Sequence, residues 1–260
     1  MGIVYHGSKT HGIKRLEPRK STHGNYVYAT PYKVLAVHFS GRCGDDLVYD
    51  IGHFGSDKDS PFELVENVPG ALEKMYSNSS SIYELPDETF KDIHTGFSEL
   101  VSEVGVDVLK EEYCENVYDA ILECEKEGLL KIYRYPDKPE YLESDFSDIL
   151  DKWRYYKYKL NRTVGQNNFD RLIYLHPNLL DKANELLKEF GIDYQYSKED
   201  IIRIFQERIN RQLSDLENEQ YIECSYKMIC EFCPELASQA TELFEYYKSS
   251  LPEKSEEINR

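Results

Sequence analysis

Ile3-Val4-Tyr5-His6-Gly7-Ser8, Asn25-Tyr26-Val27-Tyr28-Ala29-Thr30 and Ala36-Val37-His38-Phe39 decide how this chain reads. Two short runs rich in Val and Tyr, bounded by Gly, Ser and Thr, have the composition of strands. The first closes on His-Gly-Ser. The second carries Tyr28, and Phe39 stands eleven residues beyond it. Between the runs, Lys, Pro, Gly and Ser21-Thr22-His23-Gly24 spell a loop. Pro31 suits a first helical position behind Thr30 as N-cap. Tyr32, Leu35, Ala36 and Phe39 share one helical face, so a short helix would return Phe39 beside Tyr28.

A His at a strand end, a Gly that admits a ligand to the backbone and two spaced aromatic rings suit a planar heteroaromatic carrying a ribose. In this order and spacing the residues resemble the ADP-ribosyltransferase family, in its His-Tyr-Glu branch (diphtheria toxin and poly-ADP-ribose polymerase-like). The resemblance covers residues 3–40 closely and 80–135 loosely. It implies an N-terminal ADP-ribosyltransferase-like split β-sheet domain. Pro136 and Pro139 stop the last strand expected there and set the boundary, 1–138, and the helical period beyond 140 gives an all-α C-terminal domain over 139–260, an α+β fold in all.

The resemblance also implies NAD as co-substrate and a mono-ADP-ribosyltransferase that cleaves the nicotinamide N-glycosidic bond. His6 would hold the adenine-side ribose 2′-OH, the Gly7 backbone would bind the carboxamide with Ser8 assisting, and Tyr28 and Phe39 would sandwich the nicotinamide. The third signature is a Glu after a small polar residue and before a β-branched strand. Glu103, at the start of a strand expected over 103–108, is the candidate, with Glu99 and Glu84 as rivals. His6, Tyr28 and Glu103 would form the catalytic set, with no metal needed. The acceptor is a protein or a nucleic acid, left undetermined. The motifs of the Arg-specific branch are not in register, and Glu123-Cys124-Glu125 falls in a helical pattern. A non-catalytic NAD or ADP-ribose binder and an NAD glycohydrolase are the competing readings. Compact chains of this kind are often toxin-like or phage-defence effectors, as far as resemblance goes.

The 260 residues carry a net charge of −17, which argues against nonspecific nucleic-acid affinity. The segment before Cys43 is nonetheless +6, with seven bases against Glu17, which suits an anionic small ligand. No apolar run approaches a membrane span, and Met1-Gly2-Ile3-Val4-Tyr5 runs into a strand without a signal-peptide pattern, which favours the cytoplasm. The six cysteines are scattered. Cys230-Glu231-Phe232-Cys233 with Cys224 lacks a fourth zinc ligand and lies on a helical pattern, so buried reduced thiols are expected.

Further along, 47–52, 62–66, 79–86 and 129–135 read as strands, the second edge-like. Residues 69–76 read as a turn into a helix, and 113–126 carry a helical face. Beyond 140 the period is helical. The stripe from Leu179 to Phe190 closes on Gly191, and Ser197 with Asp200 forms a capping pair. Trp153-Arg154-Tyr155-Tyr156-Lys157-Tyr158-Lys159 reads either as a single-strand-binding patch or as side chains snorkelling over a helical core. No repeat period stands out, and the last ten residues are expected to fray.

Overall fold

The computed structural model describes residues 2–21, 23–41, 48–52, 60–95 and 98–252, with the backbone alone for 48–52. In chain order come β1 (Ile3–Ser8), β2 (Arg15–Leu16), β3 (Arg19–Ser21), β4 (Gly24–Ala29), α1 (Lys33–Phe39), β5 (Val48–Gly52), β6 (Phe62–Glu66) and α2 (Ala71–Met75). They are followed by β7 (Ser80–Pro86), β8 (Leu100–Ser102), β9 (Val106–Asp107), β10 (Lys110–Cys114), α3 (Val117–Lys126) and β11 (Leu130–Tyr133). The rest is helical: α4 (Asp148–Tyr158), α5 (Gln166–Leu175), α6 (Leu180–Glu189), α7 (Lys198–Ser214), α8 (Ile222–Phe232) and α9 (Ala237–Ser250). The chain forms two compact units, Met1–Glu66 with Leu72–Arg134, and Asn67–Ala71 with Tyr135–Arg260. The passage after Arg134 precedes the expected division at 138.

In the first unit, β7 lies between β1 and β10, and β4 lies between β3 and β8, all antiparallel. Among the described residues a two-bond bridge joins these groups: Tyr5 N donates to Thr30 O at 2.7 Å and Thr30 N donates to Tyr5 O at 2.9 Å. The hydrogen-bonded array therefore runs β8–β4–β1–β7–β10. A second sheet has β6 between antiparallel β5 and parallel β11, so Phe62–Glu66 is central and not an edge. Val4, Val27, Ala29, Tyr83, Leu85 and Val106 pack as one buried cluster, as period-two alternation on several strands requires.

Several local expectations change. The N-cap of α1 is Tyr32, while Thr30 Oγ1 accepts from Tyr32 N at 3.2 Å. Val34, Leu35, Ala36 and Val37 are all buried, whereas Tyr32 and Phe39 are exposed. A helix this apolar is enclosed on most sides, so no single face governs it. The strand expected over 103–108 is two short ones, β8 ending at Ser102 and β9 starting at Val106, with Glu103 in the bend between them. Lys110–Cys114 is strand β10, ahead of the helix that begins only at Val117.

In the second unit, Ser197 and Asp200 do form a reciprocal capping box, and Gly191 takes a φ of 70° after α6. An internal repeat is present, contrary to the sequence reading. Helix α5, a 3₁₀ turn at Pro177–Leu179 and α6 correspond to α8, a 3₁₀ turn at Pro234–Leu236 and α9, offset by 57 residues from Pro177 to Pro234. The residues before the prolines, His176 and Cys233, share φ near −132° and −131° with ψ of 65° and 64°. The residues before the prolines differ, but Pro177, Leu179, Ala183, Glu185 and Leu186 recur as Pro234, Leu236, Ala240, Glu242 and Leu243 at the same offset, a period that the sequence reading passed over. Except for Leu251 and Pro252, the last ten residues lie outside the described ones.

Candidate functional site

His6 lies near the end of β1, opposite Tyr83 of β7. Its Nδ1 is 2.7 Å from the carbonyl oxygen of Tyr28. A carbonyl only accepts, so Nδ1 carries the proton and the Nε2 of a neutral ring is an acceptor. Burial, opposed by the Tyr28 hydrogen bond and aided by the Arg19 charge, holds the imidazole below its ordinary value of 6.5.

The bond marks an interruption in the sheet. Tyr5 spends both backbone groups on Thr30, so by antiparallel alternation Gly7 also turns its N–H and C=O toward the β4 side, opposite Tyr28. The ladder stops there. Tyr28 O bonds to the His6 ring, and Gly7 presents its backbone N–H and C=O to the gap between β1 and β4. Its other constraint comes from α1: a Cβ on Gly7 would sit 1.9 Å from Ala36 O. Ser8 Oγ accepts from Thr10 N at 3.1 Å, which leaves its O–H free to donate.

Tyr28 is half-buried, its ring edge-on to Tyr26 at 6.1 Å between centroids, and its hydroxyl is buried without a hydrogen-bond partner among the described residues. Phe39 ends α1 with 39% of its surface exposed and its ring against His38. Tyr28 and Phe39 make no direct ring contact.

β8 pairs Val101 with Tyr28, and Glu99 and Glu103 flank this three-residue strand, just outside its ladder. Glu103 is exposed and ion-paired with Lys91 at 2.6 Å. Glu99 is half-buried just ahead of β8 and has no ion-pair partner among the described residues. Glu84 pairs with Lys110 on β7, across β1 from β4. Of the bases before Cys43, Arg15 is bound to Glu17 and Asp107, and Lys33 to Glu112. Arg42 and Cys43 lie outside the described residues.

A supporting network was not foreseen. Glu111 Oε1 accepts from Gly12 N at 2.8 Å, Ser81 Oγ at 2.8 Å and Tyr83 OH at 3.1 Å, and His11 Nδ1 lies 2.8 Å from Ser81 Oγ. It pins the loop after Ser8 to the sheet. The Gly12 and Ser81 bonds hold the Glu111 carboxyl below its ordinary value.

In the second unit, Trp153 is buried against Phe169, and Lys157 donates to Phe190 O at 2.8 Å with its ammonium over the Phe190 ring. That is the snorkelling arrangement. Cys224 and Cys233 are buried and Cys230 half-buried, and among the described residues no His, Cys, Asp or Glu group is gathered for a metal. No described helix is long and apolar enough to cross a membrane. No family model, curated protein or solved structure matches this chain.

Proposed function

We propose that the first unit is an NAD-dependent mono-ADP-ribosyltransferase built on an ADP-ribosyltransferase-like fold. The observation that carries this reading is the His6 Nδ1–Tyr28 O bond. It breaks the β1–β4 ladder at Gly7, orients a neutral imidazole with Nε2 as acceptor, and joins the two strands that bear the candidate ligand groups. In the ligand complex Nε2 accepts a ribose hydroxyl. Gly7 donates its N–H to the carboxamide oxygen and accepts from the carboxamide NH₂, and Ser8 donates to the same oxygen. Tyr28 and Phe39 hold the nicotinamide between them, each stacked pair contributing about 0.5–1.5 kcal/mol beyond area burial.

Breaking the N-glycosidic bond sends the bonding electron pair to nicotinamide and leaves an oxocarbenium-like ribose. A carboxylate near that carbon stabilises it more than it stabilises ground-state NAD. The carboxylate comes from the β8 end. Glu99 is better disposed than Glu103, because Lys91 already neutralises Glu103. The acceptor that attacks the cation is a protein or nucleic-acid nucleophile, or water.

The Lys91–Glu103 pair favours a second reading, a binder of NAD or ADP-ribose without turnover, should Glu103 be the only acid near the ligand. Nicotinamide release from labelled NAD by wild type, Glu99→Gln, Glu103→Gln and His6→Ala separates the cases. Loss of release on the order of 100-fold in Glu99→Gln, with Glu103→Gln near wild type, is expected. Binding without release in wild type selects the binder, and absence of both removes NAD from the account.

A further inference from the structure

A cavity of about 200 Å³ opens in the second unit where α5, α7 and the turn before α8 meet. Arg171 from α5 and Arg208 and Arg211 from α7 line it, with Glu219 as its only acid. In a chain of net charge −17, three guanidiniums around one small cavity are a local reversal of sign. Arg208 and Arg211 have no carboxylate partner among the described residues. Arg208 is half-buried, and its one side-chain hydrogen bond is a long 3.4 Å contact with the neutral amide of Gln220. Its guanidinium lies over the Tyr174 ring at 5.7 Å, and that of Arg171 lies over Tyr221 at 5.6 Å. Burial and the neighbouring Arg211 and Arg171 charges weaken the hold of Arg208 on its proton. The arrangement costs free energy that a bound anion would recover.

The wall is built, not incidental. Gln212 and Gln220, 4% and 7% exposed, fix the turn: Gln220 N donates to Gln212 Oε1 at 2.6 Å, and Gln212 Nε2 donates to Leu216 O at 3.2 Å. Tyr174 OH donates to Gln220 O, and Tyr221 holds a φ of 53°, a left-handed conformation that a tyrosine rarely adopts. Two buried glutamines and a strained tyrosine hold this wall in place, and of its three guanidiniums Arg208 and Arg211 have no carboxylate partner among the described residues.

The geometry points to a binding site for a single phosphate group, that of a small phosphomonoester or of free phosphate. Planar guanidinium forks match phosphate oxygens two at a time. The volume lies below the range of pockets that enclose drug-sized ligands. The acidic surroundings oppose a long polyanion, which needs an extended basic track. This site is independent of the NAD reading, because none of its residues serves that reading.

The test is calorimetric titration of the full chain with inorganic phosphate against chloride at fixed ionic strength, with methyl phosphate and a short single-stranded oligonucleotide as parallel arms. Saturable one-site binding of phosphate or methyl phosphate is expected, the tighter of the two naming the source. Arg208→Gln and Arg211→Gln should each weaken it at least tenfold, and His6→Ala should leave it unchanged. Arg211 is exposed, so its variant carries the test if Arg208→Gln loses the far-ultraviolet dichroism of the folded chain. No saturable phosphate binding, equal binding by Arg211→Gln, or binding of the oligonucleotide alone would overturn the assignment.

Discussion

The carbonyl oxygen of Tyr28 accepts from the ring of His6 at 2.7 Å, in the place where a continuing ladder would have offered it the N–H of Gly7. One side chain thereby ends strand pairing and keeps a backbone donor open. It also sets its own tautomer, which ties the local fold to the chemistry available in the gap.

This coupling gives stability a pH signature. The buried imidazole of His6 is held below 6.5, so the unfolded chain binds its proton at a higher pH than the folded one. The contribution is fully present above about 6.5 and is lost as pH falls from there through the folded value. Denaturation midpoints between pH 7.5 and pH 5 should decline in wild type and decline less in His6→Asn. Equal slopes would mean that His6 is as solvated as an unfolded histidine.

Gly7→Ala should destabilise the first unit by about 1–3 kcal/mol, because its Cβ would meet Ala36 O at 1.9 Å and α1 must shift to admit it. Urea unfolding measures this. An unchanged midpoint would show that α1 does not press on β1.

Tyr28→Phe should leave stability within about 1 kcal/mol of wild type or raise it, since the hydroxyl is buried without a partner among the described residues. A loss of 2 kcal/mol or more in the same unfolding assay would reveal a hydrogen bond that the geometry lacks.

Glu111→Ala removes the acceptor that pins Gly12. Hydrogen exchange at the Gly12 and Ile13 amides should accelerate while α3 amides stay unchanged. The carboxyl titrates below its ordinary value of 4.5, so its stabilisation is present above that pH and lost as pH falls through the folded value. Exchange at Gly12 that is insensitive both to the variant and to acid would discount the pin.

In the second unit, Ser197→Ala deletes the side-chain half of the α7 capping box, and a cost of about 1 kcal/mol by thermal or chemical unfolding is expected.

What sequence alone determined is local. The β1 and β4 runs, the α6 stripe ending at Gly191 and the Ser197 box were legible because alternation, helical period and caps are settled within a turn or two of chain. Lys110–Cys114 was not, since its Lys-Glu-Glu-Tyr-Cys shows no apolar alternation and its strand state comes from pairing with β7. The α1 face was misjudged because burial on most sides is decided by what packs around a helix, which no period reveals. Of the candidate site, His6, Gly7, Ser8, Tyr28 and Phe39 could be picked out by order and spacing. Only tertiary structure set the register that pairs Tyr28 with Val101, stopped the ladder at Gly7, and drew Arg171, Arg208 and Arg211 around one cavity. Those are relations between residues tens of positions apart, fixed by packing and long-range hydrogen bonds, and no local preference of the chain encodes them.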